Sequence, residues 1–592
     1  MKSNFKIRVL AALLCMVTLF AVSCTAPNGT TPPTTSEPPT ESTGTAPESE
    51  YPENGAKKIV EEAKTLYVNA ETFEDLNVAY YEDTPEILLI DMQTVYEGFF
   101  TTVLSRGGTY ELEETETTVT ITRNNGACCV IDFGEDSIFY NDFDLFYTSY
   151  SNSYSDLLAN PYVDAEGNSF YFKRTGSLDI AGLPIEIDLG SRNIPLDIYD
   201  GKKYMALQTF SDVFLSLNGM NITYNSKDLF LLGGGAIDPS LEELYYSIEK
   251  TEKSEALAAF NASELCLLMD LFYGLQDEHG VIVNFDVFLE HTGLIDDMHS
   301  TDAVASSTAI ASLMIGYLAD IHSTISNPSP YAGAKDALDQ SKLVVDASYK
   351  RYFMTAREFA AARAEAMPDG APGYQEIGNT AYITFDSFTI DASRFAEYNP
   401  ETALVGDTLG LIIYAHSQIT REGSPIENVV LDLSCNMGGA FDAAVYTVAW
   451  MLGYCDLHIT NPVTNSYSTT TYVVDVNLDG VFDENDTIAD KNLYCITSPV
   501  SFSCGNLVPS LLKESGMVTL IGGTSGGGAC AVQHVSTADG TIFQISSPHR
   551  ISVVSNGAYY TVDRGVEPHH YLGKLASYYD RDALTEFINN LK

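Results

Sequence analysis

Two short stretches place chemistry-bearing residues at backbone turns. Ser503-Cys504-Gly505-Asn506 follows the strand-like run NLYCIT and opens the helical run NLVPSLLKE. A serine at such a junction sits in the positive backbone field of a helix N-terminus, which favours developing alkoxide character. The same position suits a serine that only caps the helix. Upstream, NVVLDLSCNMGGAF sets Gly438-Gly439 after a buried strand. Backbone N–H groups at a Gly-Gly turn can approach an oxyanion because no Cβ intervenes, although glycines there equally permit tight packing. On the residues alone, both readings of each turn stand.

A third stretch, DVNLDGVFDEND over 475–486, spaces oxygens as a calcium loop does. Asp475, Asn477, Asp479 and Asp483 occupy the first, third, fifth and ninth positions, with the Val481 carbonyl at the seventh and Asp486 at the last. Gly480 makes the turn. The stretch resembles EF-hand and dockerin loops, with Asp486 in place of the bidentate glutamate and a strand-like flank, TTTYVVD, before it. A structural Ca²⁺ is the expectation, and an acidic surface hairpin the alternative.

In order and with their gaps, the two turns resemble those of the S41 serine peptidases, the tail-specific or C-terminal processing proteases. Leu431-Asp432-Leu433-Ser434-Cys435-Asn436-Met437-Gly438-Gly439 is similar to the family's Asp-Leu-Arg-x-Asn-x-Gly-Gly turn. Ser503-Cys504-Gly505-Asn506 is similar to its Ser-Ala-Ser-Glu-like nucleophile turn. Arg564-Gly565-Val566-Glu567-Pro568-His569 is similar to its Gly-Val-x-Pro-Asp ending, with His for Asp. The resemblance covers roughly residues 300–575. It implies a ClpP/crotonase-like α/β core, Ser503 as nucleophile, and Gly438, Gly439 and the Cys504 amide as oxyanion donors. A nucleophilic Cys504 ranks below Ser503, because the resemblance gives Cys504 the amide role.

The family's general-base lysine falls on Gly528, within GGTSGGGAC, and no lysine lies between Lys513 and Lys574. Relatives resembling tricorn core proteases use an upstream histidine. Tyr317-Leu318-Ala319-Asp320-Ile321-His322-Ser323 is similar to their Leu-x-Asp-x-His-Ser segment, so the resemblance implies His322 as base, and an imidazole titrates near neutrality. A structural histidine ending a helix is the other reading. Asp563 and Glu567 lie in the matched C-terminal segment as candidate orienting acids, while Asp320, sharing a turn with His322, reads as structural. His534, His549, His569 and His570 are further possible bases. Neighbours such as His569 and His570 point to opposite faces of a strand, which argues against a metal pair, and no cofactor is expected for catalysis. The same residues also suit a catalytically inactive peptide-binding scaffold that lost the lysine.

The elements that must carry these residues read as an α+β multidomain chain. Residues 56–235 alternate strands with single helices: EILLIDM, TVYEGFFTTVLSR, TTVTITR, ACCVIDF, then PLDIYD, MALQTFSDVFLSLN, NITYN, LFLLGGG. These read as two weak strand–helix–hairpin repeats and resemble the copper amine oxidase N-terminal-like module of cell-surface proteins. A binding or spacing role follows, with a calcium-dependent adhesin as a third functional reading. Residues 241–365 show apolar spacing near 3.6 and read as helical. Residues 375–592 alternate buried strands and helices, an α/β unit into which the 475–486 loop is inserted.

The N-terminus reads as a secretory signal over 1–23, with a basic start, MKSNFKIR, and an uncharged stretch over 9–23. Ala21-Val22-Ser23-Cys24 resembles a bacterial lipobox, which implies a lipid on Cys24 and a membrane anchor. Residues 24–55, rich in Thr, Pro, Ser and Glu, read as an extended tether. The expected location is therefore extracytoplasmic, and the expected partners are protein or peptide substrates. With 31 Lys and Arg against 80 Asp and Glu, the net charge of −49 excludes nucleic acid as a natural partner. Of ten cysteines, none shows zinc-ligand spacing.

Overall fold

The computed structural model describes residues 58–591 apart from 103, 105–107, 148–170, 234 and 249–251. The signal, the whole of the tether and Cys24 lie outside the described residues. Among the described residues no helix is long and apolar enough to cross a membrane. None of the eight cysteines there forms a disulfide.

The site-bearing unit is a six-stranded sheet. Its order is Tyr374–Ile377, Thr380–Thr384, Asn428–Asp432, Asn492–Thr497, Val518–Gly522 and His570–Tyr571. The first pair is antiparallel and the rest are parallel. Strands buried on both faces read as continuous apolar runs, which is why NVVLD and LYCIT carry no polar alternation. Val429 and Leu431 pack with the helices Phe441–Leu452 and Cys504–Glu514. Val430 and Ile496 face the other way, onto Tyr352 and Phe359 of helix Ala347–Ala366 and Leu584 of the last helix. The buried Arg581 guanidinium holds that helix to the strand end, donating to Asp432 Oδ2 at 2.5 Å.

A second, seven-stranded sheet runs Thr324–Asn327, Ile542–Ser555, Cys455–Asn461, Ser466–Val474, Phe172–Ile180, with Cys530–Ser536 and Ala558–Thr561 also paired to the long strand. Two expectations are corrected here. Phe172–Ile180 belongs by sequence to the 56–235 stretch, yet it pairs antiparallel with Ser466–Val474. Thr324–Asn327 breaks the helical reading of 241–365 and pairs with Ile542–Gln544. Both pairings are non-local, so no periodicity within either segment announces them.

The two hairpins of the 56–235 stretch part company. The second, Met220–Tyr224 with Leu229–Gly233, stays in the first seven-stranded sheet beside Ile59–Asn69. The first, Thr118–Arg123 with Cys128–Asp132, joins a separate five-stranded sheet. One hydrophobic core runs from these sheets through helix Glu255–Phe272 to Val535 and Phe543. The 56–235 stretch is thus packed onto the C-terminal half and does not stand apart as a lobe.

Candidate active site

Ser503 sits at the start of helix Cys504–Glu514 with φ 54° and ψ −125°. Positive φ is strained for a residue with a Cβ, and such strain persists only where surroundings over-determine it. Here Ser503 N–H donates to Gly527 O at 2.9 Å, Phe502 N–H donates to Asn436 O at 3.1 Å, and the Ser503 carbonyl accepts from Asn506 and Leu507 N–H. Its side chain makes no capping hydrogen bond. The helix-cap reading is therefore set aside, and the hydroxyl is left to the cavity it lines.

The Gly-Gly turn lies directly against this serine. A Cβ on Gly438 would stand 2.6 Å from Ser503 Cβ, and one on Gly439 would run into Phe388 O. Both have φ of 110° or more, so glycine is required twice over. The expected donors are not equivalent. Gly438 N–H donates to Asn436 Oδ1 at 2.9 Å and is engaged. Gly439 N–H has no hydrogen-bond partner among the described residues, and Gly439 lines the cavity with Cys504. The Cys504 thiol donates to Gly439 O at 3.2 Å, drawing the two turns together.

The cavity, about 320 Å³, is also lined by His322, Phe441, His534 and His549. His322 is 1% exposed, and its ring centroid lies 4.7 Å from that of Phe502, the residue before Ser503. Neither ring nitrogen has a hydrogen-bond partner among the described residues. Its backbone is clamped: His322 N–H donates to Asp320 Oδ1 at 3.0 Å, and Gln544 Nε2 donates to His322 O at 2.5 Å. Asp320 also accepts from Ser323 Oγ, so its carboxylate is engaged within its own turn. Burial holds the His322 imidazole below its usual value, opposed by Asp320 and Asp563. A buried, neutral imidazole is the protonation state a general base requires. No hydrogen bond joins Ser503 to His322 in this arrangement.

Of the candidate acids, only Asp563 belongs here. Its carboxylate accepts from Ala529 N–H at 3.1 Å and acts electrostatically on His322. Glu567 is exposed, and its carbonyl accepts from Lys513 near the far end of the Ser503 helix. The structure does not bring it to the cavity. His569 and His570 lie at the sheet edge, with His569 Nδ1 accepting from Leu520 N–H. Sequence reasoning missed His279, whose Nε2 lies 3.9 Å from Asp563 Oδ2. The two are far apart in the chain, and GLQDEHG carries no local signal of the contact.

At Gly528 the fold leaves no room for a side chain. A Cβ there would stand 2.6 Å from Phe502 Cε2 and Cζ, and φ is 85°. The ring that supports His322 occupies the space a side chain at this position would need.

The 475–486 loop is folded by its own amides. Asp475 accepts from Leu478 and Gly480 N–H at 2.7 and 2.8 Å. Asp486 accepts from Val476, Asn477 and Asp483 N–H. Asn477, Asp479 and Asp483 each accept from an amide two residues on, and Val481 is exposed. Among the described residues no group of three or more His, Cys, Asp or Glu is placed to hold a metal ion.

Residues 379–572 match the sequence profile of Peptidase family S41. A Chlamydia pneumoniae protein, CPj1016/CpB1054, is 28% identical over 112 residues, which cover 17% of this chain and 16% of that protein. Among solved structures, the photosystem II D1 C-terminal processing protease is 18% identical over 33% of this chain and 42% of its own, with a TM-score of 0.25. Mature CPAF complexed with lactacystin is 11% identical over 57% and 97%, with a TM-score of 0.36. The chain thus spans less than half the length of the first two. The profile match begins ahead of the Thr380–Thr384 strand and runs through the Ser503 turn to the His570 edge, so it is residues 379–572 that are similar to peptidase family S41.

Proposed function

We propose that the protein hydrolyses peptide bonds of extracytoplasmic proteins or peptides, with Ser503 as nucleophile and His322 in place of the lysine base. Ser503 Oγ attacks the peptide carbonyl while its proton passes to an unpartnered His322 nitrogen. The Gly439 N–H and the Cys504 amide receive the oxyanion, His322 returns the proton to the leaving amine, and water hydrolyses the acyl-enzyme. The observation that carries this reading is the shared cavity: Ser503, with its hydroxyl free of any cap, and a buried His322 with both nitrogens unpartnered line one 320 Å³ space. A fluorophosphonate probe should label wild-type protein at Ser503 and fail to label Ser503→Ala and His322→Gln. Absence of label on wild type, with folding intact, sinks the proposal.

The missing Ser503–His322 hydrogen bond favours a second reading, an inactive peptide-binding scaffold, and the same probe separates the two. Catalytic hydrogen bonds often tighten only when substrate is bound. The proposed location rests on residues 1–24: labelled palmitate should enter wild-type protein in a bacterial host and not Cys24→Ala.

A further inference from the structure

Two consecutive residue pairs join the turn after helix Glu255–Phe272 to the segment that carries Asp563. Arg564 Nε and Nη2 donate to Glu278 Oε2 at 3.1 and 2.9 Å. One position along, His279 Nε2 lies 3.9 Å from Asp563 Oδ2. The other His279 nitrogen, Nδ1, is 2.9 Å from the Tyr273 hydroxyl. The turn is clamped to the long strand, because Arg550 donates to Gly274 O at 3.0 Å and to Asp277 Oδ1 at 2.6 Å. His279 is therefore presented by a rigid support, with its side chain 17% exposed.

The charged and titratable groups around these residues are few. His279 faces Asp563, Glu278, Tyr273 and, beyond the tyrosine, Asp320. Asp563 faces His279 and His322 and takes the Ala529 N–H. His322 faces Asp320 and Asp563. The Cys530 thiol lies within the field of Asp563, Arg550, Asp320 and Asp277. Two carboxylates thus bear on His322, and a protonated His279 offsets one of them.

We infer that His279 is a positioning residue: as an imidazolium paired with Asp563, it fixes that carboxylate and offsets its charge at His322. The base then rests neutral and keeps a counter-ion for the moment it accepts the Ser503 proton. The inference rests on the proposed Ser503–His322 chemistry. Burial pulls the His279 imidazole down, but Asp563, Asp320 and Glu278 together raise it above its usual value. Burial pushes the Asp563 carboxyl up, yet the contact with His279 holds it below the usual range. Both directions agree with an ion pair.

His279→Gln removes the cation and leaves Asp563 uncompensated, so His322 should bind its proton more tightly. The acid limb of kcat/KM should move up by about one pH unit, with about a tenfold loss of kcat/KM near that limb. His279→Lys, which keeps a cation, should restore the limb. A readout independent of turnover is the titration of the ¹³C-labelled His322 Cε1 by NMR, which should shift to higher pH in His279→Gln. Should that variant fail to fold, Tyr273→Phe removes the partner of Nδ1 and should move His322 in the same direction. An unmoved His322 titration in a folded variant overturns the inference. Fluorophosphonate labelling of wild type reports separately on the peptidase chemistry. Label without a His322 shift overturns the role of His279, and a shift without label supports the charge pairing while it sinks the peptidase reading.

Discussion

The Phe502 ring stands between His322 and Gly528, 4.7 Å from the histidine ring and within 2.6 Å of where a Gly528 Cβ would lie. One aromatic side chain thus supports the proposed base and excludes the base found in lysine-using relatives. Restoring the lysine should fail. Gly528→Lys combines a steric collision with an unfavourable φ, and should cost about 3 kcal/mol by urea denaturation, with no gain in hydrolysis.

Ser503 carries backbone strain that its side chain does not relieve. Ser503→Gly should abolish probe labelling and raise stability by about 1 kcal/mol, since glycine adopts positive φ without a Cβ penalty. Ser503→Ala should also lose the label but leave stability nearly unchanged. A thermal melt of the two variants side by side checks the difference.

Three histidines, His322 and His534 buried and His549 half-buried, line the cavity, and loss of solvation lowers all three. His534 moves from the ordinary 6.5 to about 4. A depressed folded-state value means the folded protein resists a proton the unfolded chain accepts. The stability this group confers is present above pH 6.5 and is lost as pH falls through about 4. For His534 alone the loss amounts to about 3 kcal/mol. Chemical denaturation at pH 7.5 and pH 4.5 should show a smaller difference in His534→Phe than in wild type.

Asp486 is buried and accepts three backbone N–H groups. Removing it leaves those donors without their acceptor, so Asp486→Ala should cost about 2 kcal/mol in the presence of a chelator. Metal-free wild type should match wild type in calcium by melting temperature. A rise on adding calcium that Asp486→Ala lacks would bring back the calcium reading of this loop.

The parts of the site that are legible in sequence are the local ones. A strand, a small-residue turn and a helix follow one another at 428–452 and 492–514, so the turns that hold Ser503 and the two glycines could be located from their spacing, while their roles came from the resemblance. His322 needed a resemblance, because nothing in YLADIHS says which cavity it will line. The distinction between Gly438 and Gly439 was hidden, since it depends on where the Asn436 side chain turns. His279 was hidden for a different reason: its pairing with Asp563 crosses the fold. Glu567 stood within a matched motif, but it faces solvent, and a motif does not encode the direction of each side chain.

The strand Phe172–Ile180 ties distant parts of the chain together, with Thr175 and Thr471 in contact although 296 residues apart. During synthesis that strand must wait, unpaired, until its neighbour has emerged. Such a long-range pairing makes for slow completion of the sheet and an extended interval in which an exposed edge can meet another chain. A fragment ending near residue 235 would keep that edge open permanently. The protein should therefore mature as a single cooperative whole, and its N-terminal third should self-associate when expressed alone.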